Sequence, residues 1–457
     1  MIIGIPKEVV AGETRVAATP ETVGKLSRQG LEIIVERGAG EASGLADADY
    51  ETKGATLESD AQAIWSKADA IIKVQSPAQH SDSETHEIEL LGEGKVFISL
   101  LNPLGNHETI QKLADRKVTA FALEMVPRIT RAQSMDVLSS MSSVGGYKAV
   151  LLAANALPKM FPLMMTAAGT IPPAKVFVIG AGVAGLAAIA AAKRLGAVVS
   201  AYDTRPVVKE QVESLGAKFV QIDLGASGEG QGGYARELTD EEKEKQQQLM
   251  AETVIASDVV ITTALVPGRP APMLIPEDVV KKMKSGAVIV DMAAETGGNC
   301  ALTEPGEQVV KEGVTICGQL NLPATLPVDA SAMFARNVAT FVQALVKDGE
   351  LALDFDDEII QGSLMTYDGG IINERVAGAM GVDAAPMPSN DTTEEADGEN
   401  DEDSEEEPAE EEADESAEDE TAEVESDEDD AGDDEASDDE EAAADDEDKK
   451  VETKTES

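Results

Sequence analysis

The chain is short of aromatic side chains, of cysteine and of positive charge. Eight Phe, five Tyr and one Trp serve 457 residues, so any core must be built mainly from aliphatic side chains and alanine. Cys300 and Cys317 are the only cysteines, which excludes a disulfide framework. Lysine and arginine number 36 against 88 aspartates and glutamates, leaving a net charge of −52. A field of that sign opposes nucleic-acid binding and favours solubility. No run of about 18 uninterrupted apolar residues occurs, so no segment is expected to insert into a bilayer. The opening "MIIGIPKEVVAGETR" lacks the charged and apolar regions of a secretory signal. The reading is a soluble, cytoplasmic protein, and no metal-ligand set is assigned.

The charge is unevenly spread. Asp391 to Ser457 holds 38 acidic and 3 basic residues, a net charge of −35, and contains no Ile, Leu, Phe, Tyr or Trp. Such a segment cannot bury enough surface to offset chain entropy. It is expected to be a disordered acidic tail, of a kind that often mediates interactions. The remaining 390 residues carry −17. Scarce lysine on an acidic body suits a salt-rich cytoplasm, and a halophilic source is the preferred account of it.

What is present is α/β alternation. Strand candidates in the first part of the chain are Ile2–Ile5, Glu32–Val35, Ala70–Val74, Val96–Leu100 and Thr119–Leu123, separated by helical patterns such as Glu21–Gln29. A second series runs Lys175–Ile179, Val198–Tyr202, Lys218–Ile222, Val259–Thr263, Val288–Asp291 and Val314–Cys317. This order predicts two Rossmann-like parallel-sheet domains with a cleft between them. Residues Ser139–Phe161 read as a linking helix, and the amphipathic stretch after residue 323 reads as a helix returning to the first domain. The expected division is 1–138 with 325–380, a discontinuous N-terminal domain; 139–324, a dinucleotide-binding domain with its linking helix; and 381–457, the tail. Gly362–Gly370 reads as a turn or short loop.

The strongest local signal is "KVFVIGAGVAGLAAIAAAKRLGAVVSAYD". Gly180, Gly182 and Gly185 follow a buried-strand pattern and lead into an alanine-rich helix, and Val183 between them is read as a further cofactor-binding residue. The first glycine permits a tight turn, the second lets backbone approach a pyrophosphate, and the third lets helix and strand pack closely. Asp203 closes the next strand, where a carboxylate suits the ribose hydroxyls and repels a 2′-phosphate. That favours NAD over NADP, although the neighbouring Thr204 is followed by Arg205, which could meet a 2′-phosphate. "GASGEGQGGYARELTDEE" is either a flexible surface loop or a lid that brings Gly233, Tyr234 and Arg236 to bound nucleotide. "TTALVPGRPAP", with Ala264 and Leu265, and "DMAAETGGNC" follow strands of the second series, where ligands of such sheets usually lie. The first could lie against the adenine or ribose, and is also readable as a plain strand-to-helix connection.

A third polar stretch, "PRITRAQSMDVLSS", precedes the linking helix. On its residues alone it is a solvated interdomain loop or a binding loop. Together with "GIPKE" and Arg15, "GAGVAGL", "AYDTRP", "GGYARE" and "GQLNLP", it resembles the NAD(H)-binding part of proton-translocating NAD(P) transhydrogenase over about Met1 to Gly381. The resemblance implies that Arg128, Gln133, Asp136 and Ser139 position the nicotinamide. A carboxamide offers one acceptor and two donors, which those side chains can satisfy. It further implies NAD(H) on this chain and NADP(H) on a partner subunit, with a membrane-spanning subunit completing the assembly. It implies a homodimer, peripheral on the inner face of the membrane, and no protein acid or base.

Alanine dehydrogenase is similar over most of the same length. Arg15 and Lys73 match substrate-binding positions there. That family needs a histidine after the strand corresponding to Val96–Leu100, but the sequence reads "VFISLLNPLG". His80, His86 and His107 lie elsewhere, and Glu295 stands at the place of the family's catalytic aspartate. Imine chemistry needs a positioned proton donor, so this reading is second. A non-catalytic nucleotide-sensing subunit is the third.

Overall fold

The computed structural model describes residues 1–80, 85–221, 240–266 and 268–390, with backbone alone over 240–247. The acidic tail and the glycine-rich stretch holding Gly233, Tyr234 and Arg236 lie outside the described residues.

Two sheets organise the chain. The first is built from β1 (Ile2–Ile5), β2 (Glu32–Glu36), β3 (Thr56–Glu58), β4 (Ala70–Ile72), β5 (Val96–Ser99) and β6 (Thr119–Ala122). These six run parallel in the order β6-β5-β4-β1-β2-β3. An exposed hairpin follows, β7 (Met164–Thr166) and β8 (Gly169–Ile171). The second sheet holds β9 (Lys175–Ile179), β10 (Val198–Tyr202), β11 (Lys218–Phe219), β12 (Val259–Thr262), β13 (Val288–Asp291), β14 (Gln308–Lys311) and β15 (Val314–Cys317). Its order is β11-β10-β9-β12-β13-β15-β14, with only β14 antiparallel. A two-stranded ribbon, β16 (Val346–Lys347) with β17 (Glu350–Leu351), then leads back to the first sheet.

Strands β5, β12 and β13 are buried at every residue. Parallel strands covered on both faces need such continuous apolar runs, which is why these strands are plain in the sequence. Edge strands β3 and β14 expose residues on at least one side, so their polar sequences carry no comparable signal.

The stretch Gly362–Gly370, expected as a turn or short loop, contains the end of a helix, Glu358–Ser363, and strand β18 (Leu364–Tyr367). β18 runs antiparallel to β6, and β19 (Gly370–Ile371) pairs with it at the sheet's edge. Met365 and Thr366 are fully buried, and the Thr366 hydroxyl donates to the Val118 carbonyl at 2.7 Å. Glycines at 362, 369 and 370 flank a strand of four residues, and they mask its pattern.

One helix joins the lobes. Val137–Ala156 buries Val137, Met141 and Val144 in the first core and Ala149, Val150 and Ala153 in the second. It is long and apolar enough to cross a membrane by composition; those six side chains are buried in the two cores, while Leu138 and Tyr147 are exposed. Expected to run to Phe161, it stops at Ala156, just before Pro158, because a residue preceding proline is driven from helical geometry. After the second sheet, helix Pro327–Leu345 returns and buries Phe334, Val338, Phe341 and Val342 in the first core. Phe341 meets Phe121 of β6 edge-on, with centroids 5.7 Å apart.

Candidate functional site

The three glycines of the second sheet do different work. Gly180 turns the chain with φ +97°, and its N–H donates to the Tyr202 carbonyl at 2.8 Å. A Cβ on Gly185 would sit 1.9 Å from the Gly180 carbonyl oxygen, so helix Val183–Arg194 lies on the turn itself. Gly182 is different. Among the described residues, a Cβ there would meet nothing nearer than an Arg205 nitrogen at 3.9 Å. Gly182 is the helix N-cap and has no side chain to satisfy the first-turn N–H groups. An open approach to an uncapped helix start fits an anion such as a pyrophosphate. Val183 begins that helix and is 42% exposed.

Asp203 lies beside this turn. One carboxylate oxygen accepts the Ala181 N–H at 2.8 Å, and the other accepts the Arg205 N–H at 2.8 Å. The Arg205 guanidinium clasps both oxygens at 2.9 Å. The arginine that complicated the choice of nucleotide therefore lies against the carboxylate. Thr204 sits half-buried between them.

The loop after β12 is shaped by Asn299, a residue that no local motif marks as structural. Fully buried, it accepts from the Ala264 N–H at 3.1 Å and donates to the Ala264 and Pro272 carbonyls at 2.9 Å. Asn299 is held in turn by Asp291, whose carboxylate accepts from Thr262, Ala293, Asn299, Cys300 and Thr303. Leu265 is 46% exposed beside it. Gly268, further along, approaches Leu104 so closely that a Cβ would stand 3.2 Å from the leucine Cβ. The two lobes touch there.

On the first lobe, "PRITRAQSMD" forms a short 3-10 helix, Thr130–Met135, between buried anchors Ala132 and Met135. Its two arginines part company. Arg131 makes a two-pronged pair with Asp357, the N-cap of helix Glu358–Ser363. The Ser134 carbonyl accepts from Asn337 of the return helix at 2.7 Å. Arg128 instead lines a pocket of about 220 Å³ with Glu124, Pro127, Asp136, Leu138 and Arg375. Asp136 is the N-cap of the joining helix, and its two oxygens accept the Ser139 N–H at 2.8 Å and hydroxyl at 2.6 Å. Gln133 is exposed on the 3-10 helix and, like Ser139, is not among the lining residues. Glu124 and Arg375 were not foreseen, and no local motif marks either.

Arg15 and Lys73 are both matched by carboxylates. Arg15 pairs with Glu13 at 2.7 and 2.8 Å and donates to Asn321 at 3.1 Å. Burial raises Glu13, but hydrogen bonds and charge from Arg15 outweigh it and hold the carboxyl at about 2. Lys73, fully buried, lies 2.5 Å from both Glu87 oxygens and 3.5 Å from Glu8. Burial pushes Glu8 up to about 7 against the pull of Lys73. The Asn321 N–H donates to Glu295 and its side chain to Glu13, so this network also ties the lobes. After β5, the Leu101 and Asn102 N–H groups donate to Glu124. His107 contacts the Leu104 carbonyl, and His86 caps a short helix.

Two family models match adjoining stretches. Residues 4–145 match the alanine dehydrogenase/PNT N-terminal domain, and residues 149–374 match the alanine dehydrogenase/PNT C-terminal domain. The chain is 49% identical over 382 residues to an NAD(P) transhydrogenase subunit alpha chain of Rhodospirillum rubrum, covering 83% of this chain and 99% of that one. Against alanine dehydrogenase of Mycolicibacterium smegmatis the identity is 30% over 384 residues, covering 82% and 96%. Among solved structures, transhydrogenase from Sinorhizobium meliloti superposes with a TM-score of 0.71 at 42% identity, covering 82% of this chain and all of that one.

Proposed function

The chain belongs to the alanine dehydrogenase/PNT family, and from that membership we propose that it is the NAD(H)-binding peripheral subunit of a proton-translocating transhydrogenase, passing hydride between NADH and NADP⁺ held on a partner subunit. NADH is here a substrate. Gly180, Gly182 and Gly185 receive its pyrophosphate, with Val183 at the helix start, and Asp203 with Thr204 and Arg205 receives the adenosine ribose. Ala264 and Leu265 border the nucleotide, while Arg128, Gln133, Asp136 and Ser139 fix the nicotinamide. Gly233 and Tyr234 belong to the same reading as lid contacts. A second copy of this chain, a membrane-spanning subunit and an NADP(H)-binding subunit are the partners, on the inner face of the membrane.

The observation that carries this reading is the joining helix. It bears Asp136 as its N-cap and seats Gly146 so tightly on the glycine-turn helix that a Cβ would stand 2.1 Å from the Ala184 carbonyl oxygen. Ten residues of helix correspond to roughly 15 Å, a span comparable with an extended dinucleotide. One rigid element thus sets the distance between the polar loop and the anion site. Hydride transfer asks mainly for such fixed separation and orientation.

Amino-acid dehydrogenation is the weaker reading because Arg15 and Lys73 are matched by Glu13, Glu87 and Glu8, leaving little positive charge for a substrate carboxylate. The pure chain is expected to give no alanine-dependent NAD⁺ reduction. With an NADP(H)-binding transhydrogenase component added, it is expected to transfer hydride from NADH to an NADP⁺ analogue. Alanine turnover favours the dehydrogenase. NADH binding with inactivity in both assays favours the sensing subunit.

A further inference from the structure

Asn337 is a polar residue at a place where its helix otherwise presents apolar ones. It lies in the return helix Pro327–Leu345, on the stripe of Phe334, Val338 and Phe341 that is buried in the first core, and is itself 7% exposed. Its amide nitrogen donates to the Ser134 carbonyl at 2.7 Å. A carbonyl can only accept, so the nitrogen must face Ser134 and the amide oxygen must point elsewhere. That oxygen is sealed from solvent and has no hydrogen-bond partner among the described residues. A buried acceptor without a partner costs stability, and an apolar side chain would avoid that cost. What the amide supplies that an apolar side chain cannot is the single bond to Ser134.

Ser134 is well placed to turn the polar loop. It follows Gln133 in the 3-10 segment Thr130–Met135, and the Asp136 N–H closes that segment on the Gln133 carbonyl at 3.3 Å. Ala132 and Met135 anchor the segment in the first core, but apolar contact has no preferred direction. Arg131 ties it to Asp357, yet that arginine is 52% exposed, and exposed pairs hold weakly. The bond from Asn337 comes from a buried side chain and is directional, so it fixes how the segment is rotated about its own axis. Gln133 depends on that rotation. Its side chain is exposed and makes no hydrogen bond among the described residues, so the backbone beneath it sets its aim. We propose that Asn337 is a positioning residue for nicotinamide binding, acting through Ser134 to aim the Gln133 amide. This rests on the transhydrogenase reading of the loop. Asn337 itself touches no substrate.

The test is a double-mutant cycle between Asn337→Leu and Gln133→Ala in the full chain. Leucine keeps the branched shape of asparagine without its polar atoms. Each protein is titrated with NADH and with ADP-ribose, which has no nicotinamide, and its melting temperature is recorded without ligand. Asn337→Leu should melt at or above the wild-type temperature, because the stranded acceptor is gone. It should nevertheless bind NADH about three- to tenfold more weakly, the value of one hydrogen bond, with ADP-ribose affinity unchanged. Gln133→Ala should weaken NADH binding by a similar factor. The double variant should match the weaker single variant to within about twofold, because both substitutions remove the same contact. If the bulkier leucine prevents folding, Asn337→Ala goes through the same titrations. Wild-type NADH affinity in a folded Asn337 variant overturns the proposal, as do multiplied losses in the double variant or equal losses of NADH and ADP-ribose binding. Wild-type NADH affinity in Gln133→Ala means that the nicotinamide reading of the loop itself fails, and the inference falls with it.

Discussion

Gly182→Ala separates the fold from the anion site. The residue has φ −74°, a conformation open to any L-residue, and a Cβ would meet no atom of the described residues closer than 3.9 Å. Folding should therefore be undisturbed, and relief of unfolded-chain entropy adds about 0.4–1 kcal/mol of stability. If the open face of Gly182 admits a pyrophosphate, the new methyl stands where phosphate oxygens approach the helix start. Losing one charge-assisted hydrogen bond costs about 1.5–3 kcal/mol, or roughly ten- to a hundredfold in NADH affinity. The assays are thermal unfolding without ligand and fluorescence titration with NADH. The expected pair is a melting temperature equal to or slightly above wild type and a dissociation constant raised at least tenfold. Wild-type NADH affinity in a well-folded Gly182→Ala protein refutes the reasoning.

Gly146→Ala should do the reverse, since its Cβ would stand 2.1 Å from the Ala184 carbonyl oxygen. Overpacking there costs about 1–3 kcal/mol, and calorimetry should show a lowered melting temperature even without nucleotide. Asp291→Ala leaves Thr262, Ala293, Asn299, Cys300 and Thr303 without their shared acceptor, and denaturant melts should lose at least about 3 kcal/mol. Unchanged stability would show that the loop around Ala264 is not held by this carboxylate. The pH dependence has two arms of opposite sign. Glu8 is raised from 4.5 to about 7, so the native state holds a proton that the unfolded chain releases, and stability falls as pH rises between those values, by up to roughly 3 kcal/mol. Glu13 is lowered from 4.5 to about 2, so its contribution is present above the unfolded value and is lost as pH falls through 2. Glu8→Gln should reduce the neutral arm to the share left by Glu124, whose carboxyl burial also raises to about 7, and leave the acid arm; an unchanged slope from pH 5 to 7 counts against the burial of Glu8.

The legible parts of the sequence were those where local pattern and tertiary role coincide. β1, β9, β10, β13 and β15 have the boundaries read from sequence, because each is a short, mostly apolar run with most of its residues buried. The glycine triplet was legible as a turn because Gly180 takes a positive φ and Gly185 packs on the Gly180 carbonyl, while Gly182 makes no backbone contact of that kind. Strand β18 was not, since its partner β6 lies far away in the chain and glycines flank it. The polar loop was legible as a group but not residue by residue. Arg131 and Arg128 look equivalent until folding brings Asp357, 226 residues away, onto Arg131. Glu124 was invisible for a similar reason: the pocket it lines is completed by Arg375, supplied by distant chain.

The most direct measurement is a crystal structure of the chain soaked with NADH. The account predicts the carboxamide within about 3 Å of polar atoms of Arg128 and Asp136, with the pyrophosphate over Gly182 and the adenosine ribose beside Asp203. A nicotinamide ring bound outside that pocket, while the adenosine half occupies the glycine turn, would contradict it.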